Sequence, residues 1–203
     1  MKETATHTER ALKDLLSTEW EMFTNVNNRA KRAPCQDDKK TFTIMRISQF
    51  LAWDEATLES YLQDVKAARD RGLNLMTEKY ARMMERTWPE EYRQLEGRLP
   101  RIPPEKMKLV RDILARQMNS LELLDKKYPR AVRRGRPLYS SEDSSTETST
   151  ETYLYGELQT YSVKTLQLCL KHMDNLQKEG RSLNEEILTI TARFYGFKDL
   201  GCI

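Results

Sequence analysis

Apolar residues recur along this chain at three- and four-residue intervals, and no stretch alternates at intervals of two. That is the periodicity of helices rather than strands. Leu12, Leu15, Leu16, Met22, Phe23 and Val26 share one face of a first helix, expected from a Thr8 cap to about Val26. A second helix, from about Asp38 to Trp53, carries Phe42, Ile44, Met45, Ile47, Phe50, Leu51 and Trp53 all round, which predicts a central position. Asp54 caps a long third helix through Leu58, Tyr61, Leu62 and Val65, broken or kinked by Gly72 before Leu75, Met76, Tyr80, Met83 and Met84. Pro89 opens a short helix, and the segment Leu99-Pro100-Arg101-Ile102-Pro103-Pro104 reads as a rigid connector. A helix from about Pro104 to Lys127 presents Met107, Val110, Ile113, Leu114, Met118, Leu121 and Leu124, and Tyr128-Pro129 closes it. One further helix is expected from Thr150 to about Lys178. The last runs from Ser182, with Glu185 completing a capping box, to Tyr195 before Gly196. The fold predicted is all-α, a single-domain irregular bundle of about six to seven helices over residues 1–203. Residues 128–150 form a basic and then acidic loop within it. Ser140 to Thr150, almost all Ser, Thr, Glu and Asp, reads as a mobile stretch with nothing to bury.

Composition narrows the class. Charged residues make up 32% and hydrophobic ones 38%, with only 7 Gly and 7 Pro, which suits charge-laced helices better than a turn-rich sandwich. The net charge of +3 comes from 34 basic and 31 acidic side chains, so nucleic acid is not expected as a partner. The basic run Lys126 to Arg136 reads first as a solvated linker and second as a phosphate contact. Cys35, Cys169 and Cys202 form neither a disulfide framework nor a zinc site, and a reducing cytoplasmic location is the default expectation. No apolar leader or run long enough to span a bilayer is visible, so no membrane partner is expected.

Three places break the helical pattern with polar chemistry. Glu19 lies in the apolar stripe of the first helix, where a lone carboxylate is too costly to bury. Arg46 and Gln49 share a face with Phe42 and Trp53, which makes Arg46 a candidate partner for Glu19. That arrangement is either a structural ion pair completed by an amide, or a polar pocket in which Arg46 clamps a carboxylate or phosphate. The second place is Cys35-Gln36-Asp37-Asp38, a thiol, an amide and two carboxylates at a helix entrance. The helix N-terminus favours a thiolate, while Asp37 and Asp38 oppose it and serve also as caps. A thiol nucleophile normally has a histidine base. Of the two present, His7 lies in the N-terminal tail and His172 on an apolar face one turn from Cys169. The third is the run Glu151 to Ser162, where Glu151 joins the apolar face and Tyr153, Glu157 and Tyr161 make a stripe of their own. Gly156 inside that helix costs about 1 kcal/mol relative to Ala, which points to close approach of a backbone or a ligand. No Glu-x-x-His pair is present, so no metal site is assigned, although the carboxylates would suit an oxygen-ligated cation.

Several of these stretches carry a resemblance. Trp20-Glu21-Met22-Phe23, Arg32-Ala33-Pro34-Cys35-Gln36-Asp37-Asp38, Phe42 to Phe50, Lys79 to Glu85 and Glu151 to Ser162 resemble, in order, a family known only as a domain of unknown function (four-one-two-five). The resemblance implies a helical protein of about this length and lends no activity. Where that family usually reads Gly-Gly before Arg-Ala, this chain has Ala30-Lys31, and where it tends to carry Arg, this chain has Tyr155.

Two functions follow as expectations. The first is an enzyme of small-molecule metabolism acting on a small polar anionic metabolite in an interhelical pocket. Its catalytic candidates are Cys35, Asp37, Asp38 and Glu157, and its substrate-binding candidates are Glu19, Arg46, Gln49, Glu151, Tyr153 and Tyr161. The second is a non-catalytic helical module that binds a protein or a small ligand.

Overall fold

The computed structural model describes residues 2–27, 32–144 and 147–203. Ala30 and Lys31 lie outside them. Ten α-helices and no strand occur among the described residues: α1 Lys2–Thr24, α2 Lys39–Leu51, α3 Glu55–Asp70, α4 Leu75–Thr87, α5 Pro89–Leu95, α6 Pro104–Lys127, α7 Pro129–Val132, α8 Thr150–Leu158, α9 Val163–Lys178 and α10 Leu183–Phe194. The all-helical expectation holds, and the number of helices is larger than six or seven because two predicted elements divide and short turns form at prolines. Gly72 ends α3 in the left-handed region at φ 69°, where Leu73 N–H reaches back to the Ala68 carbonyl at 2.8 Å. Asn74 then caps α4 through Thr77 N–H at 2.9 Å.

The predicted helix from Thr150 to Lys178 is two helices, and the reason is local. Ser162 caps α9 by accepting from Thr165 N–H at 3.1 Å, while Asp64 on α3 accepts from Ser162 N–H at 2.9 Å and from the Thr165 hydroxyl at 2.7 Å. The stronger offer to the backbone comes from these side chains, so the chain turns before continuing. The acidic segment before α8 does bury a residue: Ser149 is 0% exposed and caps α8 through Thr152 N–H. Asp143 holds it there, accepting from Ser149 N–H and from the Thr152 hydroxyl at 2.6 Å each.

Leu15, Val65, Val110, Ile113 and Leu166 are fully buried and join α1, α3, α6 and α9 in one core. Helix α2 is less enclosed than its all-round apolar pattern predicts, since Met45 is 50% exposed and Leu51 47%. Helix α1 packs on α2, α3 and α4, and α4 packs on α8, so the four helices that matter below, α1, α2, α4 and α8, are linked by direct contacts. No described helix is long and apolar enough to cross a membrane.

Candidate functional site

Each of four helices delivers one charge into the interior. Glu19 comes from α1, Arg46 from α2, Lys79 from α4 and Glu157 from α8, all buried, with Glu19 at 0% and Lys79 at 1% exposure. Arg46 grips Glu19 with both Nε and Nη2 at 2.6 Å. Its Nη1 donates to Glu157 Oε1 and to Gln49 Oε1 at 2.8 Å each, and Nη2 points also at the Tyr61 hydroxyl at 3.4 Å. A guanidinium has five N–H donors, and these five contacts use them all. Tyr61 donates to Glu19 Oε1 at 2.5 Å, and Tyr161 to Glu157 Oε1 at 2.7 Å. Lys79 Nζ lies 2.5 Å from Glu157 Oε2 and 3.4 Å from the centre of the Tyr153 ring. Gln49 completes the set by donating to Glu157 and the Tyr161 hydroxyl.

Two carboxylates and two cations therefore cancel inside a closed hydrogen-bond network, the condition under which buried charge is tolerated. Burial raises the Glu157 carboxyl, but the Arg46 and Lys79 charges outweigh it and hold the group well below the usual carboxylate range. Burial first, then the Glu19 charge, pushes the Tyr61 phenol well above its ordinary value. For Tyr161, burial and then Glu157 act in the same direction. Both tyrosines stay hydrogen-bond donors, and their rings lie 4.8 Å apart beside Trp53.

Above this cluster lies a cavity of about 140 Å³. Phe23, Phe42, Met45 and Met76 form apolar walls, the rings of Tyr80 and Tyr153 complete them, and Arg46 lies at the floor. Cys35, Asp38, Thr41 and Arg136 stand round the rest of the lining. The thiol turn and the α8 patch, far apart in the chain, thus meet at one cavity. The turn is held by Gln36, whose amide donates to the Phe23 and Val26 carbonyls at 2.9 Å each and whose oxygen accepts from Ala33 N–H. Cys35 is exposed at its edge.

The remaining sequence candidates separate. Asp38 caps α2 by accepting from Thr41 N–H at 2.9 Å, a bond that holds its carboxyl below the ordinary value. Asp37 faces outward on Arg32 at 2.9 Å and is not in the cavity lining. Glu151 is not in the cavity lining; it accepts from Ser140 N–H at 2.8 Å and lies 3.2 Å from Arg86. His172 contacts the Ala52 carbonyl at 2.8 Å and is not in the cavity lining, so it is no base for Cys35. Cys169 is buried, and that burial pushes its thiol up to about 12.

Lys79, Tyr61, Tyr80 and Arg136 belong to this region and were not among the candidates. Lys79 had the same signal as Glu19: a charge on the apolar stripe of Leu75, Met76 and Met83. Arg136 had none, because its place depends on a loop folding back.

Fold and site together define a helical domain in which a neutralised charge cluster supports a small, largely apolar cavity. Residues 9–203 match the family model described as Protein of unknown function (DUF4125), and the chain belongs to that family. No curated protein and no solved structure matches it.

Proposed function

We propose that the protein is a small-molecule-binding domain whose ligand occupies the cavity between α1, α2, α4 and α8. The observation that carries this reading is the closure of the charge cluster on itself beneath an open, mostly apolar cavity. Glu19, Arg46, Lys79 and Glu157 satisfy one another, so their role is to fix four helices around the cavity rather than to grip a substrate. Glu157 makes a poor proton carrier for the same reason: its carboxyl is held ionised with both oxygens occupied, and general acid–base catalysis favours a value near the working pH. A volume of about 140 Å³ matches cavities that accept a single benzene-sized ring.

The second reading, an enzyme of small-molecule metabolism, is favoured by one observation. The Cys35 thiol lines the same cavity as the Tyr80 and Tyr153 rings. One experiment separates the alternatives. Ring-sized compounds are screened by ligand-detected NMR against the native protein and Met45→Trp, a half-exposed position where the larger ring fills the cavity without threatening the core. Binding to the native protein that disappears in the variant supports the site, and binding that persists overturns it. For compounds that bind, Cys35→Ala is then followed for turnover: binding retained with turnover lost makes the protein an enzyme, and no turnover by the native protein leaves a binding module.

A further inference from the structure

We infer that Arg136 selects the ligand of this cavity, and that the ligand is a small acid: a carboxylate or phosphate on an apolar body about the size of one ring. The inference rests on the cavity being a binding site.

Arg136 reaches the cavity because its loop folds back on itself. Thr150 N–H donates to the Pro137 carbonyl at 2.8 Å, and Glu151 N–H to the Leu138 carbonyl at 3.1 Å. Glu142 accepts from Leu138 N–H at 3.1 Å and Tyr139 N–H at 2.9 Å. Leu138 is thereby sunk into the core, and Arg136, two residues earlier, is brought over α8. The Arg136 guanidinium then stacks 4.6 Å from the centre of the Tyr153 ring and donates from Nη1 to the Thr148 carbonyl at 3.1 Å. The ring contact and one backbone bond hold the group at the cavity and leave its remaining N–H donors for a forked acceptor.

Charge sets it apart from its neighbours. Arg46, Arg82, Arg86 and Arg133 each sit on a carboxylate. Among the described residues none pairs with Arg136, and it is the cavity-lining cation with donors to spare. The carboxylate in the lining, Asp38, is engaged by the N-terminus of α2. The Tyr80 hydroxyl adds a neutral donor. Burial, then the neighbouring Tyr153 and Cys35, push it far above the phenol range, so it stays protonated. The remaining walls, Phe23, Phe42, Met45 and Met76, have no hydrogen bond to give and match only an apolar body.

The test measures dissociation constants of benzoate, phenyl phosphate, benzamide and benzylamine by NMR titration on the native protein, Arg136→Ala and Arg134→Ala. Arg136 is exposed and outside every helix, so its removal leaves the core intact. At least one acid is expected to bind the native protein about tenfold more tightly than benzamide, as a charge-assisted bond gives. Which acid wins distinguishes a carboxylate from a phosphate ligand. Arg136→Ala should abolish that preference while benzamide binding is unchanged, and Arg134→Ala should keep it. Equal binding of acid and amide, tighter binding of benzylamine, or a preference that survives Arg136→Ala overturns the inference and leaves the cavity reading standing. Failure of all four probes to bind the native protein removes both.

Discussion

Arg46→Met is expected to destabilise the fold by about 3–5 kcal/mol, the cost of leaving buried partners without their charge. The side chain serves two carboxylates from two different helices at once, with Glu19 at 2.6 Å and Glu157 at 2.8 Å. Methionine fills most of the volume, so the loss is electrostatic rather than a cavity. Its pH dependence follows from the sign of the shift. The Glu157 carboxyl is depressed in the folded protein, so its stabilisation is present above the unfolded value of about 4.3 and is lost as pH falls through the folded value. In Arg46→Met that stabilisation is reduced at neutral pH, and protonation relieves what remains uncompensated. The deficit relative to the native protein should therefore shrink when urea unfolding is measured at pH 4 instead of pH 7. A deficit under about 1 kcal/mol, or one independent of pH, would show that the pair is not held as described.

Gly156→Ala carries the second large effect, and its direction separates local from tertiary reasoning. In an isolated helix the change gains about 1 kcal/mol. In this fold a Cβ at residue 156 would lie 2.9 Å from the Lys79 carbonyl oxygen and 2.6 Å from Met83 Cγ. The methionine can swing aside, but the carbonyl belongs to the α4 backbone, so α4 and α8 must separate. Lys79 and Glu157, which pair across those same helices, separate with them. We expect a net loss of about 1–3 kcal/mol, with the midpoint of thermal unfolding lowered. A raised midpoint would mean that the two helices are not in backbone contact at this position.

Much of this was readable in the chain, and the limits are physical. The all-helical fold, the bounds of α6 and the Asp38 and Asp54 caps follow from spacing and local hydrogen bonds, which sequence carries directly. Glu19 and Arg46 were legible as a pair because each interrupts an apolar face, and burial of one charge demands another. Gly156 announced a close approach without naming what approached; the answer is the α4 backbone. The break at Ser162 depended on Asp64, nearly a hundred residues earlier, a contact no local pattern reports. Arg136 was read as part of a solvated run because its position is set by Glu142 and by Thr150 bonding back to Pro137. Glu151 looked like a site wall from its helix face and instead faces Arg86.

The central claim is that the charge cluster is structural and that ligands act in the cavity above it. Methionine methyl NMR during a benzoate titration tests this most directly, because Met45 and Met76 line the cavity while Met22, Met83, Met84, Met107, Met118 and Met173 do not. The account predicts that the Met45 and Met76 methyl signals shift with benzoate while the other six hold still. Shifts centred on other methionines, or no shift with any of benzoate, phenyl phosphate, benzamide and benzylamine, would contradict it.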